Sequence, residues 1–287
     1  MNRLNIRHRT TYRYREPVQL GQHRLMLRPR EGHDLRLLSA KLTVTPAASL
    51  TWTNDVFGNA VATAQFSDHT DWLSIESLAV VELAAPPWPT FDIAATALRY
   101  PFFYSEAERI DLAALAIPHH PDPSGWLADW ARGFVRGSST DTLALLKDMV
   151  AGVTARISYQ SRDEEGTQSP LETLGRGWGS CRDFAVLFVE ATRNLGFGAR
   201  IVSGYLYNPD RTPAVSTDAG STHAWAEIYL PGAGWITFDP TNRGVGGFNL
   251  IPVAVGRVIA QVMPVTGAFV GMSDAFQGMS VEVQVAP

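Results

Sequence analysis

The sequence predicts an α+β protein, in which a β-rich N-terminal domain precedes a core of helices packed on an antiparallel sheet. Short alternating runs fill residues 1 to 85, a proline cluster follows, and helical patterns then lead into a β-hairpin. We therefore divide the chain into an N-terminal β-sandwich (1–85), a proline-rich linker (86–100) and an α+β core with a C-terminal extension (101–287).

The composition narrows the functional classes. The 287 residues are 45% hydrophobic and 18% charged, as in an ordinary folded protein, and the net charge of −4 suggests neither nucleic acid nor a membrane as partner. The single cysteine excludes an intrachain disulfide and fits a reducing compartment. No signal segment or apolar run of about 20 residues is present, so we expect a cytoplasmic protein. We see no glycine loop for phosphate and no calcium loop, and expect no cofactor or metal.

The N-terminal region reads as short strands separated by turns. Its arginine and histidine residues are expected on the solvent face of the sandwich; they are Arg7, His8, Arg9, Arg13, Arg24, Arg28, Arg30 and His33. Prolines at 86, 87 and 89 end strand pairing and stiffen the chain. We therefore predict that residues from about Phe91 onward keep their site geometry without the N-terminal domain.

Three helical patterns follow the linker, over 105–115, 124–135 and 140–153, and a fourth begins near residue 181. Before this fourth helix the chain is rich in glycine, which disfavours a helix. Ser180 is a plausible N-cap, and Asp183 is placed to reach back to it. Cys181 then occupies the first helical position, where free N–H groups and the helix dipole favour a thiolate.

An isolated free cysteine is usually a small buried hydrophobe. Cys181 instead follows a glycine turn, and a base and an acid are found downstream. His223 opens one strand of a hairpin and Asp239 closes the other, so both lie at the end away from the Pro/Gly turn. A thiolate, an imidazole beside it and a carboxylate that orients the ring form a nucleophilic triad.

The hairpin register decides whether Asp239 can reach His223. Side chains alternate faces along a strand, so a regular four-residue turn at 231–234 would point the two residues to opposite faces. We therefore predict a three- or five-residue loop, or a bulge between Glu227 and Phe238. Without it, the orienting role would pass to a residue such as Asn242.

Four segments resemble the bacterial branch of the transglutaminase-like superfamily, whose members are often described as cysteine proteases. They read G-W-G-S-C-R-D-F-A, S-G-Y-L, T-H-A-W-A-E-I-Y-L-P-G-A-G-W and F-D-P-T-N. The resemblance implies a papain-like α+β core behind an N-terminal β-rich domain, and a triad of Cys181, His223 and Asp239. The family pattern near the C-terminus is G-R-D-Y followed by a further acidic residue; this chain departs from it, because G-R at 256–257 is followed by V-I-A-Q at 258–261.

The expected chemistry is attack of the thiolate on a peptide-like amide, most simply by a cysteine peptidase or amidase. A protein-glutamine acyl transferase and a catalytically silent peptide-binding module remain alternatives, because the superfamily includes all three. The N–H of Cys181 is the natural first oxyanion donor. Tyr159, Trp178 and Trp225 are candidates for a second donor or for substrate contact, and packing beside the cleft is as plausible for them. The partner is a peptide or protein amide; the sequence predicts no oligomeric state. Polar segments at 161–169 and 208–221 are candidates for the cleft border or a lid.

Overall fold

The computed structural model describes residues 2–161, 166–208 and 220–287. The first strands are β1 (Asn2–Leu20), β2 (His23–Leu25), β3 (Leu35–Thr45), β4 (Ser49–Asn54), β5 (Ala60–Gln65) and β6 (His69–Leu83). The middle of the chain forms β7 (Arg99–Tyr100), α1 (Glu106–Leu112), α2 (Trp126–Arg132), β8 (Thr140–Asp141), α3 (Thr142–Arg156), β9 (Ser158–Tyr159), α4 (Pro170–Arg176), β10 (Trp178–Gly179) and α5 (Cys181–Asn194). The last part forms β11 (Ala199–Tyr207), β12 (Gly220–Leu230), β13 (Gly234–Asp239), β14 (Gly244–Val245), β15 (Leu250–Gly256), β16 (Val265–Thr266), β17 (Phe269–Val270) and β18 (Phe276–Ala286).

The N-terminal region is the predicted β-sandwich. One sheet has the order β17-β1-β6-β3, with β18 also paired to β1, and the other has the order β16-β2-β5-β4. Every second side chain of β6 is buried along most of its length, as expected for a strand with one face on a core. Apolar side chains from both sheets fill the space between them; they include Tyr14, Leu20, Leu25, Ala62, Leu73 and Ile75.

The C-terminal strands complete this sandwich instead of extending the core. β18 runs antiparallel along β1, with Asn5 opposite Ala286 and Thr11 opposite Ser280. β16 pairs with β2, and β17 pairs with the end of β1. The C-terminal extension expected within 101–287 therefore adds its last strands to the N-terminal sandwich and not to the core sheet. The physical reason is that β6 covers one edge of β1, and the final strand satisfies the backbone groups of the other edge.

A single hydrophobic cluster continues from the sandwich into the core. It includes Leu4 and Ile6 of β1 together with Phe188 of α5 and Ile228 of β12. The proline-rich linker therefore joins two parts that share one apolar cluster, although a second cluster lies within the sandwich alone. This arrangement argues against the expectation that residues from Phe91 onward are structurally independent, because removing β1 would expose the core side of the cluster to water.

The core sheet has the order β14-β13-β12-β11-β15 and is antiparallel throughout. Helix α5 packs on β11 and β12, and α2, α3 and α4 pack against α5. Every residue from Asp183 to Arg193 is buried as a result. A helix covered on all sides is a rigid element, and it carries Cys181 at its first position.

Helices α1 and α2 lie within their predicted segments, α3 begins within its segment but continues to Arg156, and α5 begins at the predicted Cys181. Helix α4 was not predicted, although Ser169, Pro170 and Glu172 carry a recognisable start signal. The Ser169 N–H donates to the Glu172 carboxylate (2.8 Å) and the Glu172 N–H to the Ser169 hydroxyl (3.3 Å), with Pro170 in the first turn. Among the described residues, no helix is long and apolar enough to cross a bilayer.

Candidate active site

Helix α5 places Cys181 at a firmly held helix start. The Asp183 carboxylate accepts hydrogen bonds from the Ser180 N–H (2.8 Å), the Ser180 hydroxyl (2.9 Å) and the Gln168 N–H (2.7 Å). This confirms the predicted reach of Asp183 back to Ser180. The Cys181 side chain is partly exposed, so the thiol is accessible while the turn beneath it is buried.

The hairpin has the register that the triad requires. Ala226 lies opposite Phe238 and Leu230 lies opposite Gly234, which leaves a three-residue loop at 231–233. This confirms the predicted odd-length loop, and the register puts His223 and Asp239 on one face of the sheet. The His223 Nε2 and the Asp239 Oδ2 are 2.9 Å apart, and both residues are buried.

The histidine also forms a side-chain hydrogen bond with Cys181, so the structure brings together the three predicted residues. Since Nε2 faces Asp239, Nδ1 is the nitrogen left for the thiol. Burial alone would lower the pKa of His223, but its hydrogen bonds to Asp239 and Cys181 outweigh burial and raise the pKa to about 10. Burial would raise the pKa of Asp239, yet hydrogen bonds from His223 and Asn242 lower it. The geometry therefore favours an imidazolium held by a carboxylate.

The turn after β13 holds the Asp239 carboxylate in place. Its Oδ1 accepts from the N–H groups of Thr241 (3.0 Å) and Asn242 (3.3 Å), and its Oδ2 accepts from the Asn242 side-chain amide (2.7 Å). The same amide nitrogen is 3.4 Å from the His223 Nε2. Sequence reasoning considered Asn242 only as a substitute for Asp239, whereas the structure uses Asn242 to support it.

Tyr159 lies next to the thiol. Pairing of β9 with β10 sets Tyr159 opposite Gly179, two residues before Cys181, and Tyr159 is 55% exposed. Partial burial, and then the nearby Cys181, raise the pKa of the Tyr159 phenol, so the hydroxyl keeps its proton and can donate. Trp178 is half-buried on the neighbouring strand, under the Arg176 guanidinium at 5.7 Å.

Trp225 requires a correction. It is 1% exposed, so it cannot contact a substrate or donate to an oxyanion. Its ring stacks beside the His223 ring with centroids 6.0 Å apart, and packs closely over Gly204 of β11. Its place is therefore structural: it fixes the back of the histidine ring.

The segment at 258–261, which departs from the family pattern, is held by the side chain of Gln261. Gln261 reaches back with its side-chain oxygen to the N–H groups of Arg257 (2.9 Å) and Val258 (3.1 Å), and so closes a short turn. Of the proposed border segments, residues 162–165 and 209–219 lie outside the described residues. Within the described ranges, no group of three or more acidic, histidine or cysteine side chains is arranged to hold a metal ion.

Two family models match the chain. Residues 4–82 match the bacterial transglutaminase-like N-terminal region, and residues 128–240 match the transglutaminase-like superfamily. The second match contains Cys181, His223 and Asp239. The first ends near the linker, in agreement with the position of the sandwich.

Relatives and a solved structure extend the likeness over the whole chain. An uncharacterized protein of Mycobacterium tuberculosis is 28% identical over 298 residues, covering 100% of this chain and 93% of that protein. One from Mycobacterium leprae is 27% identical, with 99% of each chain covered. A crystal structure from Cytophaga hutchinsonii, described as that of a candidate cysteine protease, superposes with a TM-score of 0.73 at 20% identity, covering 99% of this chain and 91% of that one. At this identity the superposition supports the fold alone.

Proposed function

Because the chain belongs to the transglutaminase-like superfamily, we propose that it carries out thiol-dependent acyl-enzyme chemistry on peptide-like amides, as a cysteine peptidase or amidase. The observation that carries the proposal is the buried His223, which is hydrogen-bonded on one side to Asp239 and on the other to Cys181. A thiol paired with an oriented imidazole at an accessible helix start is the arrangement that nucleophilic catalysis needs.

The proposed reaction has two halves. The Cys181 thiolate attacks the amide carbonyl, an S–C bond forms, and the carbonyl oxygen becomes an oxyanion. As the C–N bond breaks, the His223 imidazolium gives its proton to the leaving nitrogen. Water then loses a proton to His223 and attacks the thioester; the S–C bond breaks, and a carboxylic acid leaves while the thiolate is restored.

The oxyanion needs hydrogen-bond donors in a fixed position. The Cys181 N–H at the free end of α5 is the first donor in this proposal. The Tyr159 hydroxyl is the preferred second donor, since it lies beside Cys181 and keeps its proton, with the Trp178 indole N–H as the alternative. Asp239 keeps the imidazole ring oriented and stabilises its charged form.

The pH dependence of Cys181 alkylation tests the pair directly. We expect iodoacetamide to react with Cys181 already below pH about 6, because His223 is hydrogen-bonded to the sulfur and can accept its proton, whereas an ordinary thiol reacts mainly near pH ~8.5 and above. The variant His223→Ala should react as an ordinary thiol. Because Cys181 is the only cysteine, one adduct per chain is counted unambiguously by mass spectrometry. A wild-type profile with no acidic reactivity would contradict the proposal and favour a silent peptide-binding module.

Turnover of fluorogenic peptide amides, with and without an added primary amine, separates hydrolysis from transfer. Release of a free acid in both conditions supports a peptidase or amidase, and a new amide supports an acyl transferase. The variant Cys181→Ala should fold and lose all turnover, because the side chain acts at a surface and not in the core. Full activity of that variant would refute the mechanism. A cytoplasmic location remains part of the proposal, supported by the single unpaired thiol.

A further inference from the structure

The turn that follows Asp239 is closed by a residue in an unusual conformation. Asp239 lies opposite Gly244 where β13 pairs with β14, so the chain reverses within four intervening residues. Two of these, Thr241 and Asn242, donate their N–H groups to the Asp239 carboxylate. The residue that completes the reversal is Arg243. Its φ of 56° lies in the left-handed region, which residues other than glycine rarely adopt.

A strained backbone persists only where its surroundings hold it. The Arg243 side chain supplies such a hold, because its Nε donates to the Thr154 hydroxyl on α3. That hydroxyl donates in turn to the Ala151 carbonyl (3.0 Å), so its oxygen is fixed and its acceptor position faces the arginine. Among the described residues, the Arg243 guanidinium forms no ion pair that would give it another role.

This contact joins the two halves of the site. Arg243 follows directly on Asn242, whose amide supports Asp239 and lies 3.4 Å from the His223 ring. Thr154 lies in the last turn of α3, which leads into β9 and Tyr159 beside the thiol. The Arg243–Thr154 contact therefore connects the segment that carries His223 and Asp239 with helix α3, which packs against the helix that carries Cys181.

We propose that Arg243 is a positioning residue, which through Thr154 sets the Asp239–His223 pair against Cys181. The inference rests on the proposed function but can be measured apart from it. A merely structural arginine would stabilise the fold and leave thiol reactivity unchanged. If Arg243 is a positioning residue, its loss should instead lower thiol reactivity and leave stability unchanged. Glycine adopts a φ of this sign at no steric cost, so Arg243→Gly removes the backbone strain and the contact with Thr154 together.

The test measures the rate of Cys181 alkylation against pH, with thermal unfolding as the second readout. We expect Arg243→Gly and Thr154→Val each to lose about tenfold or more of the acidic reactivity, since small misplacements of paired groups cost that much. The thermal midpoint of Arg243→Gly should be no lower than that of the wild type. The double variant should lose no more reactivity than either single variant, because both remove one contact.

Arg156→Gln is the matched control: it removes an exposed arginine at the same end of α3 and should keep the wild-type profile. The inference is overturned if Arg243→Gly and Thr154→Val keep the wild-type pH profile of Cys181 alkylation. It is also overturned if Arg156→Gln shifts that profile as much as they do. If the profiles shift as expected while no amide is turned over, the proposed function fails and the positioning role of Arg243 stands.

Discussion

Protonation of His8 should destabilise the folded protein in mild acid. His8 was expected on the solvent face, yet it is 1% exposed between the sandwich and the core. Its Nδ1 lies 3.0 Å from the Tyr205 hydroxyl and its Nε2 3.0 Å from the Thr10 hydroxyl. Burial raises the pKa of Tyr205, so that hydroxyl stays protonated, and burial lowers the pKa of His8 to about 4.

The size and sign of the effect follow from these values. In the unfolded chain a histidine takes up a proton near its ordinary pKa of 6.5, whereas folded His8 resists until about 4. Each pKa unit corresponds to about 1.4 kcal/mol, so His8 costs the folded state about 3 kcal/mol once fully protonated. The free energy of unfolding should fall as the pH drops below about 6.5, and this loss should level off below about 4.

The variant His8→Gln isolates this contribution. Glutamine cannot satisfy both hydroxyls, so at pH 7.5 we expect the variant to be less stable by about 1–3 kcal/mol. At pH 4.5 the wild type should lose about 2–3 kcal/mol of this advantage in the free energy of unfolding, or become the less stable of the two, because glutamine takes up no proton.

Urea unfolding followed by tryptophan fluorescence at both pH values measures the two differences. His69→Gln, which removes an exposed histidine and leaves the His8 contacts in place, is the control for the same measurement. An equal gap between wild type and His8→Gln at both pH values would refute a buried, neutral His8.

Three further outcomes follow from the structure. Asp239→Asn should fold but lose about 10²- to 10⁴-fold in turnover, because an amide stabilises the His223 imidazolium poorly; an unchanged kcat for peptide amides would contradict this. Gly204→Ala should lower the free energy of unfolding by about 1–3 kcal/mol or more, because the added Cβ would lie 2.1 Å from a β15 carbonyl oxygen. Chemical denaturation measures this loss. Gly247→Ala is the control, since its added Cβ would lie 4.0 Å from the nearest neighbouring atom. A protein that begins at Phe91 should lose its cooperative unfolding transition and its acidic thiol reactivity, and a stable fragment with the wild-type alkylation profile would show that the shared cluster is dispensable.

Local rules predicted much of the site. The helix start at Ser180, the position of Cys181 and the reach of Asp183 all lie within one turn of chain, where capping preferences act directly. The odd-length hairpin loop also followed from local geometry, since side-chain parity leaves few registers that bring His223 and Asp239 together.

Contacts between distant segments could not be predicted in this way. The pairing of β18 with β1 joins the two ends of the chain. The alternating pattern of a strand predicts which face is buried, but it does not predict which strand lies beside it. The burial of His8 and of Trp225 has the same origin, because their periodicity allows either an exposed or a covered face. The proline linker indicated separate units, whereas the structure shows that the two units share a hydrophobic cluster.

The position of the imidazole relative to the thiol depends on these distant contacts. Cys181 belongs to a helix held by other helices, whereas His223 and Asp239 belong to a hairpin, and a hydrogen bond between the two halves does not by itself fix them. His8 holds β11 through Tyr205, the neighbour of Gly204, which lies opposite His223. Substitution of His8, remote from the thiol, should therefore lower its acidic reactivity through geometry, and a His8→Gln variant with wild-type alkylation would limit its role to stability.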